Sequence, residues 1–600
     1  MTEIRQLIAS AVFSDLDRHF TAFIEQQGGG GQPLVALAAA LVSHQRGDGH
    51  ICLDLELVAG SAFPDRPADG VNPIQLPRLK EWTKALRSSP VVGAPGEFKP
   101  VVLDAHHRVY LHRYWEYEQT LATTIRQRAC DLAQVPDASA VEQKLQALFP
   151  PAADETIDWQ RTAALAAMRR KFCVISGGPG TGKTHTLVLI LALLLELERG
   201  RKLRIAVAAP TGKAAARIQD SIRTVKSTLA CDETIRAQLP ERATTIHRLL
   251  GYLPDAARFR HDADNPLPFD VVAVDEASMV DLALMARLFQ AVPSSARLIL
   301  LGDKDQLASV EAGAVLGDIC SAAAILEAEH GASASPERCS TLADCVVQLK
   351  RNYRFGQHSA IYRLSLAINE GHTEDALQIL RNCGGSAAAD LVSAPLPRRG
   401  ELKAALRERV IAGFSEFVQA PDPLAALAAL ARFRILCVLR EGPFGVAGLN
   451  DLTEEILEEA GLIRPPSQWY AHRPVMITRN DYNLKLFNGD IGIFLPDGDS
   501  GELRAFFPGP DNTLRKFLPL RLPEHETAYA MTVHKSQGSE FDRVLFILPD
   551  RESPVLSREL LYTGITRART GVELWFDEKV FRAALVRRVT RSSGLCDALQ

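Results

Sequence analysis

The sequence predicts an α/β protein built on two parallel sheets. Three observations carry this reading. Between residues 156 and about 350, four apolar runs alternate with helical segments: FCVISG (172–177), LRIAVAAP (203–210), FDVVAVDE (269–276) and ARLILLGD (296–303). Strands that are apolar throughout, each feeding a loop and then a helix, belong to a parallel sheet covered on both faces. A second alternation runs from about 350 to the end, with RILCVLR (434–440), VMIT (475–478), RVLFIL (543–548) and VELWF (572–576). At 600 residues, the chain is longer than one hydrophobic core organises, so several domains are expected.

From the N-terminus, Ile4, Leu7, Ile8, Val12, Leu16, Phe20 and Phe23 recur at helical spacing, which predicts one amphipathic helix over 4–24. The glycine run 28–31 ends it, and another helix starts near Pro33. Residues 100–113 read as two short strands around a turn, followed by a helix from about Tyr114 to Leu132. The polar, proline-containing stretch 136–155 marks a boundary. Within the second α/β region, residues 488–525 change character. IGIFLP, LRAFFP and FLPLRLP are strand-like runs split by DGDSG and GPDN turns, which predicts a small inserted β module.

Composition narrows the class. With 46% apolar and 23% charged residues, the chain has enough apolar content for sizeable cores and too much for disorder. The net charge of -4 gives no global basic field, although a nucleic-acid groove needs only a local one. The ten cysteines include no CxxC pair, which argues against zinc or iron–sulfur and fits reduced thiols. The acidic, helix-patterned N-terminus does not read as a signal peptide, and the longest apolar run (187–195) is too short to span a bilayer. A cytoplasmic protein with no membrane partner is expected.

Residues 177–184, GGPGTGKT, match GxxxxGK[ST] between a strand and a helix. Gly177, Gly178, Gly180 and Gly182, with Pro179 and Thr181 between them, let backbone N–H groups turn inward around phosphate oxygens, and the helix N-terminus adds its dipole. Lys183 is placed for the β and γ phosphates of ATP, and the Thr184 hydroxyl for Mg²⁺. Asp275 and Glu276 close VVAVDE, where charge at the end of a buried strand is costly without a task. Asp275 would hold Mg²⁺ through its water shell and Glu276 would orient and deprotonate the attacking water; the alternative is a pair of helix-capping acids. Gln306, after LILLG, reads either as a γ-phosphate sensor or as a polar strand-end turn. Arg354 and Arg567 are candidate fingers, because a permanently charged bidentate guanidinium suits charge developing on a transferred phosphoryl, or else surface arginines. Gln160, beside Trp159, carries an amide that matches both the donor and acceptor edges of adenine.

The segments WQ, GGPGTGKT, APTGKAA, TIHRLLGY, VDEAS, LGDKDQL, NYRF, TVHKSQGSEFD and LYTGITRAR follow in that order over roughly 155–590. In this the chain resembles the superfamily 1 helicases. Within them, VYLHRYWEYEQTLA before the core, REGPFGVAGLN (440–450) and RPVMITRNDYNLKLFNGDIG (473–492) resemble the RecD family, the α subunits of the RecBCD enzyme (exodeoxyribonuclease V). The resemblance implies two RecA-like motor domains. One covers 156–350 (1A, with a small 1B insertion at about 252–268), the other 351–600 (2A, with an SH3-like 2B insertion at about 488–525). It also implies an α-rich N-terminal partner-docking domain at 1–115 and a linker helix region at 116–155.

Three segments are implied to contact the backbone phosphates of single-stranded DNA: Pro210, Thr211 and Lys213; Thr245 and His247, with Arg248; and Thr532, His534, Lys535 and Ser536. All are short donors or cations suited to groups that carry no sequence information, and each is otherwise an ordinary polar loop residue. ATP-driven 5′-to-3′ movement, RecB and RecC partners, and single- and double-stranded DNA ends as substrate are further implications, as is work in double-strand break repair by recombination and in degradation of linear DNA. Residues 1–115 lack the paired GxG hairpins of stand-alone RecD-like helicases, and no nuclease constellation stands out. A stand-alone helicase and a non-translocating P-loop switch are the competing readings.

Overall fold

The computed structural model describes residues 2–64, 72–133, 138–149, 157–198, 201–229, 231–253, 258–330, 341–356, 358–383, 390–464, 468–481, 483–509 and 513–600. The predicted first helix is two helices, α1 (Thr2–Ile8) and α2 (Asp15–Gln27). Ser14 resets the period. Its hydroxyl accepts from Asp17 N, and the Asp17 carboxylate accepts from Ser14 N, a capping box that starts a new helix. The reset leaves Leu16 63% and Phe23 48% exposed, while Asp17, Thr21 and Ile24 face inward.

After α3 (Pro33–Gly47), buried from Val35 to Ser43, comes a small sheet of β1 (Cys52–Asp54), β2 (Val92–Gly93), β3 (Val101–Leu103) and β4 (Arg108–Leu111), in the order β1-β4-β3-β2. Strands β3 and β4 are the two expected around a turn. The next helix, α4 (His112–Cys130), falls where a linker region was expected. It is a core element instead: Tyr117, Leu121, Ile125 and Ala129 pack in one cluster with Phe172, Val274 and Leu300. Buried Arg128 also donates to Val292 O at 2.5 Å and Pro293 O at 3.1 Å. Much of the expected boundary at 136–155 lies outside the described residues.

The first large sheet has six parallel strands: β5 (Phe172–Gly177), β6 (Ile205–Ala209), β7 (Ala243–Thr245), β8 (Val271–Val274), β9 (Arg297–Gly302) and β10 (Val346–Leu349), ordered β10-β5-β9-β8-β6-β7. α4 covers one face; α5 (Trp159–Arg169), α6 (Lys183–Leu197) and α7 (Gly212–Thr228) cover the other. α6 is buried from Thr186 to Leu195, so the longest apolar run of the sequence is a core helix. Among the described residues, no helix is long and apolar enough to cross a membrane. In the expected small insertion, Tyr252–Leu253 pairs antiparallel with Arg258–Phe259; residues 254–257 lie outside the described set.

The second parallel sheet begins with β11 (Leu391–Pro395) and β12 (Phe433–Cys437). An antiparallel sheet interrupts it: β13 (Pro474–Ile477), β14 (Ile491–Pro496), β15 (Leu503–Pro508), β16 (Leu514–Phe517) and β17 (His525–Thr527), in the order β16-β15-β14-β13-β17. VMIT therefore belongs to the inserted sheet, because β13 pairs antiparallel with both β14 and β17. The antiparallel sheet starts at Pro474, earlier than the composition change at 488 suggested. Then β18 (Ala530–Thr532), β19 (Phe541–Ile547) and β20 (Ala568–Phe576) complete the parallel sheet, ordered β11-β20-β19-β12-β18. The chain finally returns to the first sheet, where α9 (Leu595–Leu599) packs against α4 and α8 (Val315–His330).

Candidate functional site

The loop after β5 is shaped by close approach. Gly180 and Gly182 have φ of +83° and +82°, conformations that suit glycine. A Cβ at Gly178 would lie 2.7 Å from the Tyr562 hydroxyl, and one at Gly180 would lie 2.5 Å from Cβ of Arg354. The segment after β10 holds the loop from outside: Asn352 Nδ2 donates to Pro179 O at 2.8 Å, and Tyr353 N donates to Gly180 O at 2.7 Å. Thr181 Oγ1 donates to Gly178 O at 2.8 Å, and Gln160 Nε2 stands 2.7 Å from where a Gly182 Cβ would be.

Lys183 opens α6, and its Nζ donates to Gly177 O at 2.6 Å and Gly178 O at 3.1 Å. Thr184 Oγ1 donates to Asp275 Oδ2 at 3.0 Å, so the hydroxyl and carboxylate predicted around Mg²⁺ are adjacent. Burial and the neighbouring Glu276 raise the Asp275 pKa, opposed by Lys183. No group of three or more His, Cys, Asp or Glu among the described residues is arranged for a metal. Thr184 and Asp275 supply a few hard oxygens, which fits Mg²⁺ held jointly with phosphates. Asp303, after β9, is buried and accepts from Tyr562 Oη and Gln306 Nε2, both at 3.0 Å. Glu276 sits at φ +55°, a left-handed conformation uncommon outside glycine, and its carboxylate faces the cleft.

The opposing wall comes from the second sheet. Arg567, 2% exposed, donates from Nη2 to Gln306 Oε1 at 2.6 Å, from Nε to Thr563 O at 3.2 Å and from Nη1 to Ser539 O at 3.3 Å. Arg354, from the segment after β10, reaches this wall, its Nη2 donating to Glu540 Oε1 at 2.5 Å. Between the walls lies a cavity of about 900 Å³, lined by Lys183, Thr184, Asp275, Glu276, Gln306, Arg354 and Arg567 among others. The residues predicted from scattered segments thus meet in one cleft.

Arg217 and Glu540 are among the cleft residues that escaped the sequence reading. Glu540 accepts from Arg217, from Arg354 and, at 3.2 Å, from Arg569 Nε. Burial works to raise its pKa, but Arg217 and Arg354 carry it down to about 2. The available signals were weak: Arg217 stands four residues past Lys213 on one helix, and Glu540 lies inside TVHKSQGSEFD.

The residues predicted for nucleic acid divide. Thr211, after Pro210, caps α7, accepting from Ala214 N at 3.2 Å, and Thr245 caps the helix Ile246–Leu250, accepting from Arg248 N at 3.3 Å. His247 joins an aromatic group with Tyr252 and Phe259, ring centroids 6.2 and 5.8 Å away. Arg248 lies 4.8 Å over the Phe487 ring, bridging toward the second sheet's insertion. Lys535 Nζ donates to Asn488 Oδ1 at 3.1 Å, and burial lowers the pKa of half-buried His534.

Three predictions need correction. Ser536 is fully buried, its hydroxyl donating to Val533 O at 2.7 Å, so it is not placed to meet a phosphate. Thr532 is buried too, with Oγ1 accepting from Lys535 N at 3.3 Å. Lys213 lines the nucleotide cleft, where burial and then Arg434, Arg567 and Arg217 push its pKa down to about 7, a balance that Asp490 opposes.

A complete phosphate loop beside a hydroxyl–carboxylate pair, closed by Arg567 at the start of a strand of a second parallel sheet and by Arg354 from the segment after β10, defines a two-sheet P-loop NTPase of helicase type. Sequence comparison makes this particular. Family models match at 9–110 (RecBCD enzyme subunit RecD, N-terminal domain), 160–312 (AAA domain) and 527–574 (UvrD-like helicase C-terminal domain). The chain is 39% identical to "RecBCD enzyme subunit RecD" of Mycobacterium tuberculosis over 613 residues, covering 100% of this chain and 96% of that protein. It is 40% identical to the Mycolicibacterium smegmatis protein of the same name, covering 94% and 93%. An "ATP-dependent RecD2 DNA helicase" of Deinococcus radiodurans is 30% identical but is matched over only 54% of its length. The chain belongs to the RecD family.

Proposed function

We propose that this chain is the ATP-driven helicase subunit of a RecB–RecC–RecD assembly and that it moves 5′ to 3′ along single-stranded DNA at double-strand ends. The observation that carries this is the junction of the two sheets, where Arg567 meets Gln306 at the mouth of a complete phosphate loop. A motor needs ATP to change how two bodies pack, and a cleft whose walls come from different sheets is built for that.

The arrangement of these residues supports the following roles. Lys183 and the loop glycines bind the phosphates, with Gln160 beside the base. Thr184 and Asp275 hold Mg²⁺, which supplies charge neutralisation on the phosphates. Glu276 orients and deprotonates water, and Gln306 reads the γ-phosphate. Arg567 from the second wall and Arg354 from the segment after β10 stabilise charge on the transferred group. Pro210, Thr211, Thr245, His247, Arg248, His534 and Lys535 grip the strand. Residues 1–115 dock onto the partner subunits, 156–350 and 351–600 act as the two motor bodies, and the inserted antiparallel sheet is the 2B element.

The stand-alone helicase reading has less support, since the match to the RecD2 helicase stops at about half that protein. Polarity is tested with oligonucleotides carrying streptavidin at one end. The reading requires ATP-dependent displacement from the 3′ end; displacement from the 5′ end alone would reverse the assigned direction.

A further inference from the structure

Arg217 reaches into the cleft from α7 and stands between two carboxylates. Its Nη2 donates to Glu540 Oε1 on the second wall, and its Nη1 lies 3.7 Å from Glu276 Oε1 on the first. Glu540 is a hub: the same oxygen accepts from Arg354 at 2.5 Å, and Oε2 accepts from Arg569 at 3.2 Å. Among the described residues, the Glu276 carboxylate accepts no hydrogen bond, and Arg217 is its paired cation. A guanidinium is a planar fork with five donors, so it serves two carboxylates at once, which a single ammonium does less well. Arg217 is thus anchored by a hydrogen bond to one wall and leans on the other through a longer ion pair.

We propose that Arg217 is a positioning residue for ATP hydrolysis: it sets the Glu276 carboxylate, and Glu540 sets Arg217 from the opposite wall. Approach of the second sheet to the first then brings Glu276 into register with the attacking water. Three structural facts converge on this. Glu276 leaves β8 through a left-handed turn that aims it into the cleft. Glu540 directly precedes β19 of the second sheet. Arg217 stands on α7, which covers the first sheet, with its guanidinium against both carboxylates. The proposal rests on reading Glu276 as the general base.

The test uses the full-length chain with a single-stranded oligonucleotide. Arg217→Ala, Arg217→Lys, Glu540→Gln and the Arg217→Ala/Glu540→Gln double variant are compared with Lys183→Gln. Turnover is measured per active site, and ATP affinity by titration with a fluorescent ATP. Arg217→Ala lowers kcat roughly 30- to 100-fold, the scale expected for a misplaced catalytic group. ATP affinity changes less than about threefold, because the contact matters after binding. Arg217→Lys does not restore kcat, and the double variant is no slower than Glu540→Gln alone, since both act through one contact.

Losses that multiply in the double variant overturn the proposal. So does a loss of affinity with kcat intact, or a loss of active sites with kcat per site unchanged. If Lys183→Gln is inactive while Arg217→Ala turns over like the parent, only the positioning role fails. If Lys183→Gln stays active, the ATP-cleft reading itself fails.

Discussion

Arg567 and Gln306 meet across the cleft, the guanidinium Nη2 donating to the amide Oε1 at 2.6 Å. Gln306 in turn donates to buried Asp303 at 3.0 Å, so the arginine connects through it to the segment that follows β9. An arginine held this way is ready for charge that develops during transfer and adds little to ground-state binding. Arg567→Ala is therefore expected to lower kcat for ATP hydrolysis roughly 10³-fold, with ATP affinity nearly unchanged. Steady-state kinetics with a parallel binding titration checks this; a pure affinity loss would count against the finger role.

A second junction ties the C-terminal segment to the first sheet. Arg591 donates to the carbonyls of Ser309 (2.5 Å), Glu311 (2.7 Å) and Gly313 (2.8 Å), a few residues past Gln306. Hydrogen bonds from a charged donor are each worth on the order of 1.5–3 kcal/mol, and the one to exposed Glu311 O falls toward the low end. Arg591→Ala should lower thermal stability by several degrees, visible as a fall in Tm. An unchanged Tm would mean that the segment is dispensable for packing.

Beside that segment, Glu118 is fully buried and accepts from Gly594 N at 2.9 Å and Ser593 Oγ at 3.2 Å. Burial pushes its pKa up to about 7 despite these bonds. A carboxyl with a raised folded-state pKa binds more protons folded than unfolded, so stability falls as pH rises from the ordinary carboxyl range to about 7. The effect is worth at most about 3 kcal/mol. Glu118→Gln should flatten the stability-versus-pH curve between about pH 5 and 7 and raise stability at pH 8. A slope identical to the parent's would contradict this.

For the strand grip, the structure separates two neighbours. Lys535 is half-buried at the seam with Asn488, whereas the Ser536 hydroxyl is committed to Val533 O. Lys535→Ala should weaken single-stranded DNA binding and reduce the slope of log affinity against log salt by roughly 0.7, the value for one lost phosphate contact on single-stranded DNA. Ser536→Ala should leave that slope unchanged. Salt-titrated binding isotherms of both variants give the answer.

Much of this architecture was legible in the sequence. The strands of the first sheet and the phosphate loop are short-range patterns, set by apolar runs and by glycines that local geometry demands. What escaped was long-range. α4 looked like a linker because its apolar face is read correctly only once the partners Phe172 and Val274 are known. VMIT carries the apolar pattern of a parallel strand, yet β14 and β17 claim its backbone. Ser14 restarts the helix at a capping box inside an unbroken apolar period, so spacing alone pointed to one helix. Lys213 and Ser536 sit in segments whose order suggests strand contacts, but Lys213 lines the nucleotide cleft and the Ser536 hydroxyl is bonded to Val533 O, and no sequence spacing encodes either.

Lys183, in the same cleft as Arg567, is expected to power a motor that responds to DNA. The most direct measurement is ATP hydrolysis by the parent chain and by Lys183→Gln, each with and without single-stranded DNA, with circular dichroism confirming equal folding. Single-stranded DNA is expected to raise parent turnover by about tenfold or more, and Lys183→Gln to show no hydrolysis under either condition. Hydrolysis by Lys183→Gln at the parent rate, or parent turnover indifferent to DNA, would contradict this.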